Sequence, residues 1–202
     1  MNEVIAAAGA VLALWNDVAP ELDAEYNAWH ADEHVPERLT VPGMLWGRRY
    51  RRLGAGIAPR YLTIYGMRDA RVVESDAYRA LLSDPTPMSA RMRPHLCNLS
   101  RWVCDVRESQ AFGSSTNLAV WTVDAESVAR LRATDHASND GLLLAQRSPD
   151  AAPLPWLQGG QAHAIEGSWL VAVGLPSEAV AVPAPVPDAT LYSLLRPPQS
   201  AL

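Results

Sequence analysis

The residues best suited to chemistry lie between positions 26 and 34, in the string Tyr26-Asn-Ala-Trp-His30-Ala-Asp-Glu33-His34. His30 and His34 are four apart and Glu33 is three beyond His30. On a helix these side chains gather on one face, with Tyr26 one turn earlier. Two imidazoles, a carboxylate and a phenol could accept and return protons near neutral pH, which is what general acid/base catalysis requires. The competing reading is a solvated helix flank carrying satisfied histidines. His30 to His34 also fits H-x-x-E-H, in which two histidines bind zinc and the glutamate is the base. Such a site needs a third ligand. Glu74, Glu108 and Glu126 are available, but none sits in a partner motif, so no metal is expected.

Other residues have two readings each. Trp15, Trp29, Trp46 and Trp102 could stack on a planar substrate or fill the core. Arg49 could clamp a substrate carboxylate bidentately, or make an ion pair on an arginine-edged strand that also carries Arg48, Arg51 and Arg52. Asn27 could anchor a ligand or hold a neighbouring loop. His95 and His163 fall beside a proline and in a Gly-rich stretch, and default to the surface.

These side chains need a scaffold, and the pattern supplies one. The 202 residues, 49% hydrophobic and 19% charged, suffice for a large core without metal or disulfide. All 17 basic residues are arginine, which excludes Schiff-base lysines and P-loops. A net charge of −5 disfavours nucleic acid. Cys97 and Cys104 should point to opposite faces of one strand. The opening apolar run lacks a basic n-region and stops at Asn16 and Asp17, so a cytoplasmic protein that does not enter a membrane is expected.

Along the chain, Ala10 to Asn16 reads as a strand. Pro20 opens a helix with Leu22, Tyr26 and Trp29 at helical spacing, ending near Pro36 to Leu39. VPG at Val41 to Gly43 is a turn. Met44 to Leu53 and Arg60 to Met67 form a strand pair, Ser75 caps a helix to Leu82, a helical turn reaches Met92, and Leu99 to Val106 is a fourth strand. The order βαββαβ is ferredoxin-like.

The pattern then restarts. Leu118 to Val123 repeats the first strand, Asp124 caps a helix to about Asp135, and Leu142 to Gln146, Trp169 to Gly174 and Leu191 to Leu195 complete a second, degenerate half. The proline-rich SEAVAVPAPVPDA replaces its second helix with a loop. The expected organisation is α+β, with ferredoxin-like halves over residues 1–112 and 113–202, the active cleft belonging to the first.

Trp15, Asn16, Asp17, Glu25, Asn27, Trp29, His30, Glu33, His34, Pro36, Arg38 and Val41-Pro42-Gly43, followed by Arg49, Tyr50, Tyr61 and Leu62, resemble the dimeric α+β barrel superfamily, and within it the EthD-like proteins. The resemblance runs from Ala10 to Asp105 and thins afterwards. It implies a barrel made by two ferredoxin-like sheets, here within one chain, with a small-molecule cleft between sheet and helices. It also implies His30 and His34 presented to an aromatic or polyketide-like substrate.

The expected function is therefore a cofactor-independent enzyme of decarboxylase, isomerase or lyase type, acting on a hydrophobic substrate. His30 or His34 would be the proton carrier, Glu33 its partner, Tyr26 a hydrogen-bond donor and Arg49 the carboxylate clamp. Asn27, Trp15, Trp29 and Trp46 would line the substrate. The alternatives are a non-catalytic ligand-binding or assembly protein, and a metal-dependent hydrolase. A tandem chain either closes its barrel internally or pairs again as a homodimer.

Overall fold

The computed structural model describes residues 6–112, 115–132, 141–149, 151–157, 160–177, 189–195 and 199–200. Four strands build the first half: β1 (Ala10–Val18), β2 (Met44–Arg52), β3 (Tyr61–Met67) and β4 (Leu96–Gln110). Four more repeat the arrangement: β5 (Asn117–Val123), β6 (Leu142–Arg147), β7 (Trp169–Leu175) and β8 (Thr190–Leu194), with β9 (Gln199–Ser200) added beside β2. The lateral order is β2-β3-β1-β4 in one half and β6-β7-β5-β8 in the other, the same permutation twice. β4 joins β6 and β8 joins β2, so the two sheets close into one antiparallel barrel. Closure leaves neither sheet with an open edge at these seams.

β4 outruns the expected Leu99 to Val106 because it serves both sheets. Residues from Leu96 to Asp105 pair with β1, and those from Cys104 to Gln110 pair with β6. Closure also corrects the reading of the arginine strand. β2 is bonded to β3 on one side and to β8 and β9 on the other, so it is no edge, and Arg48 and Arg49 are 3% and 8% exposed.

Alternation divides the first sheet into two environments. Val11, Ala13, Trp15, Trp46, Tyr50, Leu62, Ile64, Trp102 and Cys104 face the barrel interior, where they meet Leu118, Val120, Leu170 and Tyr192 of the second half. Ala10, Leu12, Met44, Tyr65, Met67 and Val103 face outward under a helical layer. That layer comprises α1 (Asp23–Trp29), a π-helical turn (His30–His34), α2 (Val35–Leu39), α3 (Asp76–Ser83) and α4 (Pro87–Met92). Ser75 caps α3 by accepting from the Tyr78 N–H, and α4 carries the expected turn to Met92.

In the second half the described residues hold one helix, α5 (Ala125–Arg132), where Asp124 accepts from the Ser127 N–H. The rest of that expected helix, including Asp135 and His136, and most of the proline-rich segment lie outside the described residues. No described helix is long and apolar enough to cross a membrane. Cys97 is exposed and Cys104 buried, on opposite faces as expected.

Gly66 fixes how the sheet meets the barrel core. A Cβ there would overlap the Trp46 indole, which lies across the strand. Gly66→Ala is expected to lower stability by about 1 to 3 kcal/mol, read as a shifted urea midpoint. An unchanged midpoint would show that the indole has room to move.

Candidate active site between the opening helix and the sheet

The helix that begins at Pro20 does not stay α-helical. Asp23–Trp29 is α, but over His30–His34 the ladder widens, and the Val35 N–H bonds the His30 carbonyl. The cause lies in the next residue: Pro36 has no N–H to offer the Asp32 carbonyl, and its ring crowds that position. A local π turn absorbs the mismatch, a feature that recurs at functional sites.

The wide turn changes who faces whom. In α geometry Glu33 would sit about 60° around the axis from His30. The extra residue in the π turn rotates it further, and its carboxylate accepts from Thr86 Oγ1, the N-cap hydroxyl of α4. Glu33 therefore braces one helix against the next and makes no hydrogen bond to either imidazole, contrary to the expected partnership.

His30 and His34 do stay together. Their ring centroids are 4.7 Å apart, and the pair nests against Tyr26 (5.3 Å from His30) and Trp29 (4.6 Å from His34). His30 is 6% exposed, and both Nδ1 atoms are buried without a hydrogen-bond partner. Burial holds both imidazoles well below the usual histidine range, reinforced for His30 by Arg49 and His34, and for His34 by Arg38, Arg93 and Arg49. Both rings are thus neutral at pH 7, the form in which an imidazole accepts a proton. The flank-with-satisfied-histidines reading does not describe this geometry.

Arg49 reaches the pair from β2. Its Nη2 donates to Asn27 Oδ1 (3.1 Å) and its Nη1 to the Asn27 carbonyl (3.4 Å), while its guanidinium lies 5.2 Å from the Tyr26 ring centre. Arg49 Nε is buried without a partner, and no carboxylate among the described residues pairs with this cation. Asn27 also donates to Tyr61 Oη (2.9 Å), and Tyr61 donates to Asp23 (2.6 Å), so the clamp is held by a continuous network. The Tyr26 hydroxyl donates to Asn16 Oδ1 at 3.0 Å, and burial raises its pKa. Tyr26 is a hydrogen-bond donor, and its acceptor in the structure is Asn16. Trp29 donates to Ser89 Oγ (3.3 Å) and forms part of the wall behind His34.

Trp15 and Trp46 are not with these residues. They face the barrel interior on the other side of the sheet, with Trp102, and Trp46 Nε1 donates to the Ala6 carbonyl. Sequence reasoning instead left out Thr63, Tyr65, Arg38 and Arg93 as site residues. Thr63 stands opposite Arg49 across β2 and β3, and its hydroxyl, like that of Tyr65, is buried and unpartnered. Arg38 and Arg93 are 4% and 6% exposed. A signal existed: Tyr61, Thr63 and Tyr65 alternate on one face of a strand, and Arg38 follows His34 by four residues.

Among the described residues no group of three or more His, Cys, Asp or Glu side chains converges on a point that could hold a metal. A cavity of about 660 Å³ is present, but at the mouth of the barrel. Of the expected substrate-lining residues it touches Trp15 alone, so the cleft anticipated beneath the helix is not this one.

No protein-family model and no curated protein matches the chain. Among solved structures, an anthrone oxidase-like protein is similar over 95% of this chain and 92% of its own, with a TM-score of 0.56 and 11% identity. A monooxygenase-type protein from Fusobacterium nucleatum subsp. nucleatum (12% identity, 83% of this chain, 76% of that one) and a chlorite dismutase-type protein (12%, 93% and 94%) each give a TM-score of 0.48. The doubled strand permutation, its internal closure and the first of these superpositions give the chain the fold of the dimeric α+β barrel proteins, with both ferredoxin-like halves on one polypeptide.

Proposed function

We propose that the chain is a small-molecule enzyme that moves a proton on a hydrophobic, anionic or carbonyl-bearing aromatic substrate, in the manner of the EthD-like proteins its first half resembles. The observation that carries this reading is the pair of neutral imidazoles, His30 buried and His34 half-buried, both Nδ1 atoms unpartnered, beside an arginine that no carboxylate of the described residues pairs with. Unsatisfied buried polar atoms cost stability, and a protein that retains several in one place has a use for them.

In this account an imidazole of the pair takes a proton from an acidic C–H of the substrate and becomes imidazolium. Charge develops on the substrate oxygen as an enolate, which Arg49, with Arg38 and Arg93 nearby, stabilises in a water-poor setting. The proton then returns to carbon, giving isomerisation or exchange. If the substrate instead loses carbon dioxide, the carbanion left behind takes up a proton from solvent, passed through the imidazole, which ends the turnover neutral as it began. Glu33 contributes by bracing α4, and Asn27 by holding the guanidinium.

The test is solvent deuterium exchange. The purified protein, without added cofactor, is incubated in D2O with a panel of aromatic ketones and aromatic keto acids, anthrone among them, and exchange at the acidic carbon is followed by NMR. Acceleration of at least one panel member above buffer is the expected result. No acceleration of any would contradict the proposal.

A further inference from the structure

The barrel mouth is built from residues that the imidazole site does not use. Its cavity of about 660 Å³ falls in the range that holds an aromatic small molecule. Trp15, Val120 and Tyr192 line it from the barrel interior, and Trp121 and Ile165 from the second half. The β2–β3 loop forms its lip, and that loop holds the two large hydrophobic residues that stand exposed among the described residues, Leu53 at 38% and Ile57 at 102%. Apolar side chains left in water beside an apolar hollow gain by closing on an apolar occupant.

The polar side of this hollow is cationic. Arg52 donates from Nε to the Gly54 carbonyl (3.4 Å) and from Nη1 to the Ala58 carbonyl, both neutral acceptors. Its Nη2 has no hydrogen-bond partner among the described residues, and no Asp or Glu among them lines the cavity. The charge continues inward. Tyr50 and Arg48 share the barrel-facing side of β2 with Arg52, two and four residues back; the Tyr50 hydroxyl lies beside Arg48, and Arg48 Nε and Nη1 are buried without partners among the described residues. Burial pushes the Tyr50 phenol up to about 12, which keeps it a hydrogen-bond donor. A lumen with two arginines and no facing carboxylate among the described residues attracts anions.

We propose that the barrel mouth is a second ligand site, specific for a flat aromatic anion. The ring system lies against Trp15, Ile165 and Tyr192, and the carboxylate or sulfonate meets Arg52. The site shares no residue with the imidazole pair, so either proposal can fail without the other.

The experiment is a fluorescence titration of the intact protein with 1-anilinonaphthalene-8-sulfonate and with its neutral analogue N-phenyl-1-naphthylamine. One saturable site per chain is expected, with the sulfonate bound more tightly. Thr190→Trp, at the rim, fills the hollow and should abolish binding of both probes. Arg52→Met should weaken the sulfonate by about tenfold, the usual consequence of losing a charge-assisted hydrogen bond, and leave the neutral probe unchanged. Far-UV circular dichroism and the urea midpoint identify variants that remain folded, and Ala189→Trp replaces Thr190→Trp if that variant does not fold. Absence of saturable binding, binding unaffected by the tryptophan, or equal affinity for the two probes would overturn the proposal.

Discussion

Replacing His30 and His34 together by glutamine is expected to slow proton exchange on a responsive substrate by about 100-fold or more, the usual contribution of a positioned acid/base group. Glutamine keeps much of the volume and polarity but cannot carry the proton. The substitution has a second consequence that needs no substrate. Both imidazoles sit well below the usual histidine range in the folded chain, chiefly through burial. As pH falls below about 6.5, the unfolded chain takes up protons that the folded chain refuses, so stability is lost. Each ring contributes a slope of up to about 1.4 kcal/mol per pH unit until its folded pKa is reached. Urea midpoints measured between pH 7.5 and pH 5 should fall in the wild type and flatten in the double variant. A double variant that retains both full exchange and the acid slope would remove the imidazoles from the account.

Tyr26→Ala is expected to cost about 3 to 5 kcal/mol, the range for deleting a buried aromatic ring. Tyr26 is fully buried, donates to Asn16, lies 4.8 Å from the Tyr61 ring and 5.3 Å from His30, and offers its face to Arg49. Tyr26→Phe separates the ring from the hydroxyl. It should cost about 1 to 3 kcal/mol, because Asn16 Oδ1 is left buried without its donor. Chemical denaturation of the two variants checks the order. Equal losses would mean that the hydroxyl carries the whole contribution, and that the stacking against Arg49 and His30 contributes little.

Much of the scaffold was legible because it follows from periodicity. Ser75 and Asp124 cap helices where a side-chain oxygen precedes an apolar pattern, and the strands of both halves fall within a few residues of their expected ends. Barrel closure was harder to read, because seam residues such as Tyr50 and Leu194 meet only in the folded chain. That is why four arginines in five positions looked like an edge strand.

At the site, helical spacing placed His30 and His34 on one face, and their rings do lie 4.7 Å apart. It misplaced Glu33, because the position was reckoned on α geometry while Pro36 forces a π turn. Trp15 and Trp46 were grouped with the imidazoles by residue type, yet strand parity sends them through the sheet to the barrel lumen. Thr63 and Tyr65 share a strand face with Tyr61, which the sequence shows, but that their hydroxyls lie buried without partners is visible only in the folded chain.

The central claim is that the imidazoles of His30 and His34, shielded from water at Nδ1, are uncharged at neutral pH beside Arg49, which no carboxylate among the described residues neutralises. Side-chain NMR of the histidine rings from pH 8 to pH 4.5, assigned with the single glutamine variants, tests it most directly. Both rings should hold the neutral chemical shifts through pH 6.5 and protonate only below it, and Arg49→Met should move the His30 transition upward. Two rings that titrate at about 6.5, unaffected by loss of Arg49, would contradict it.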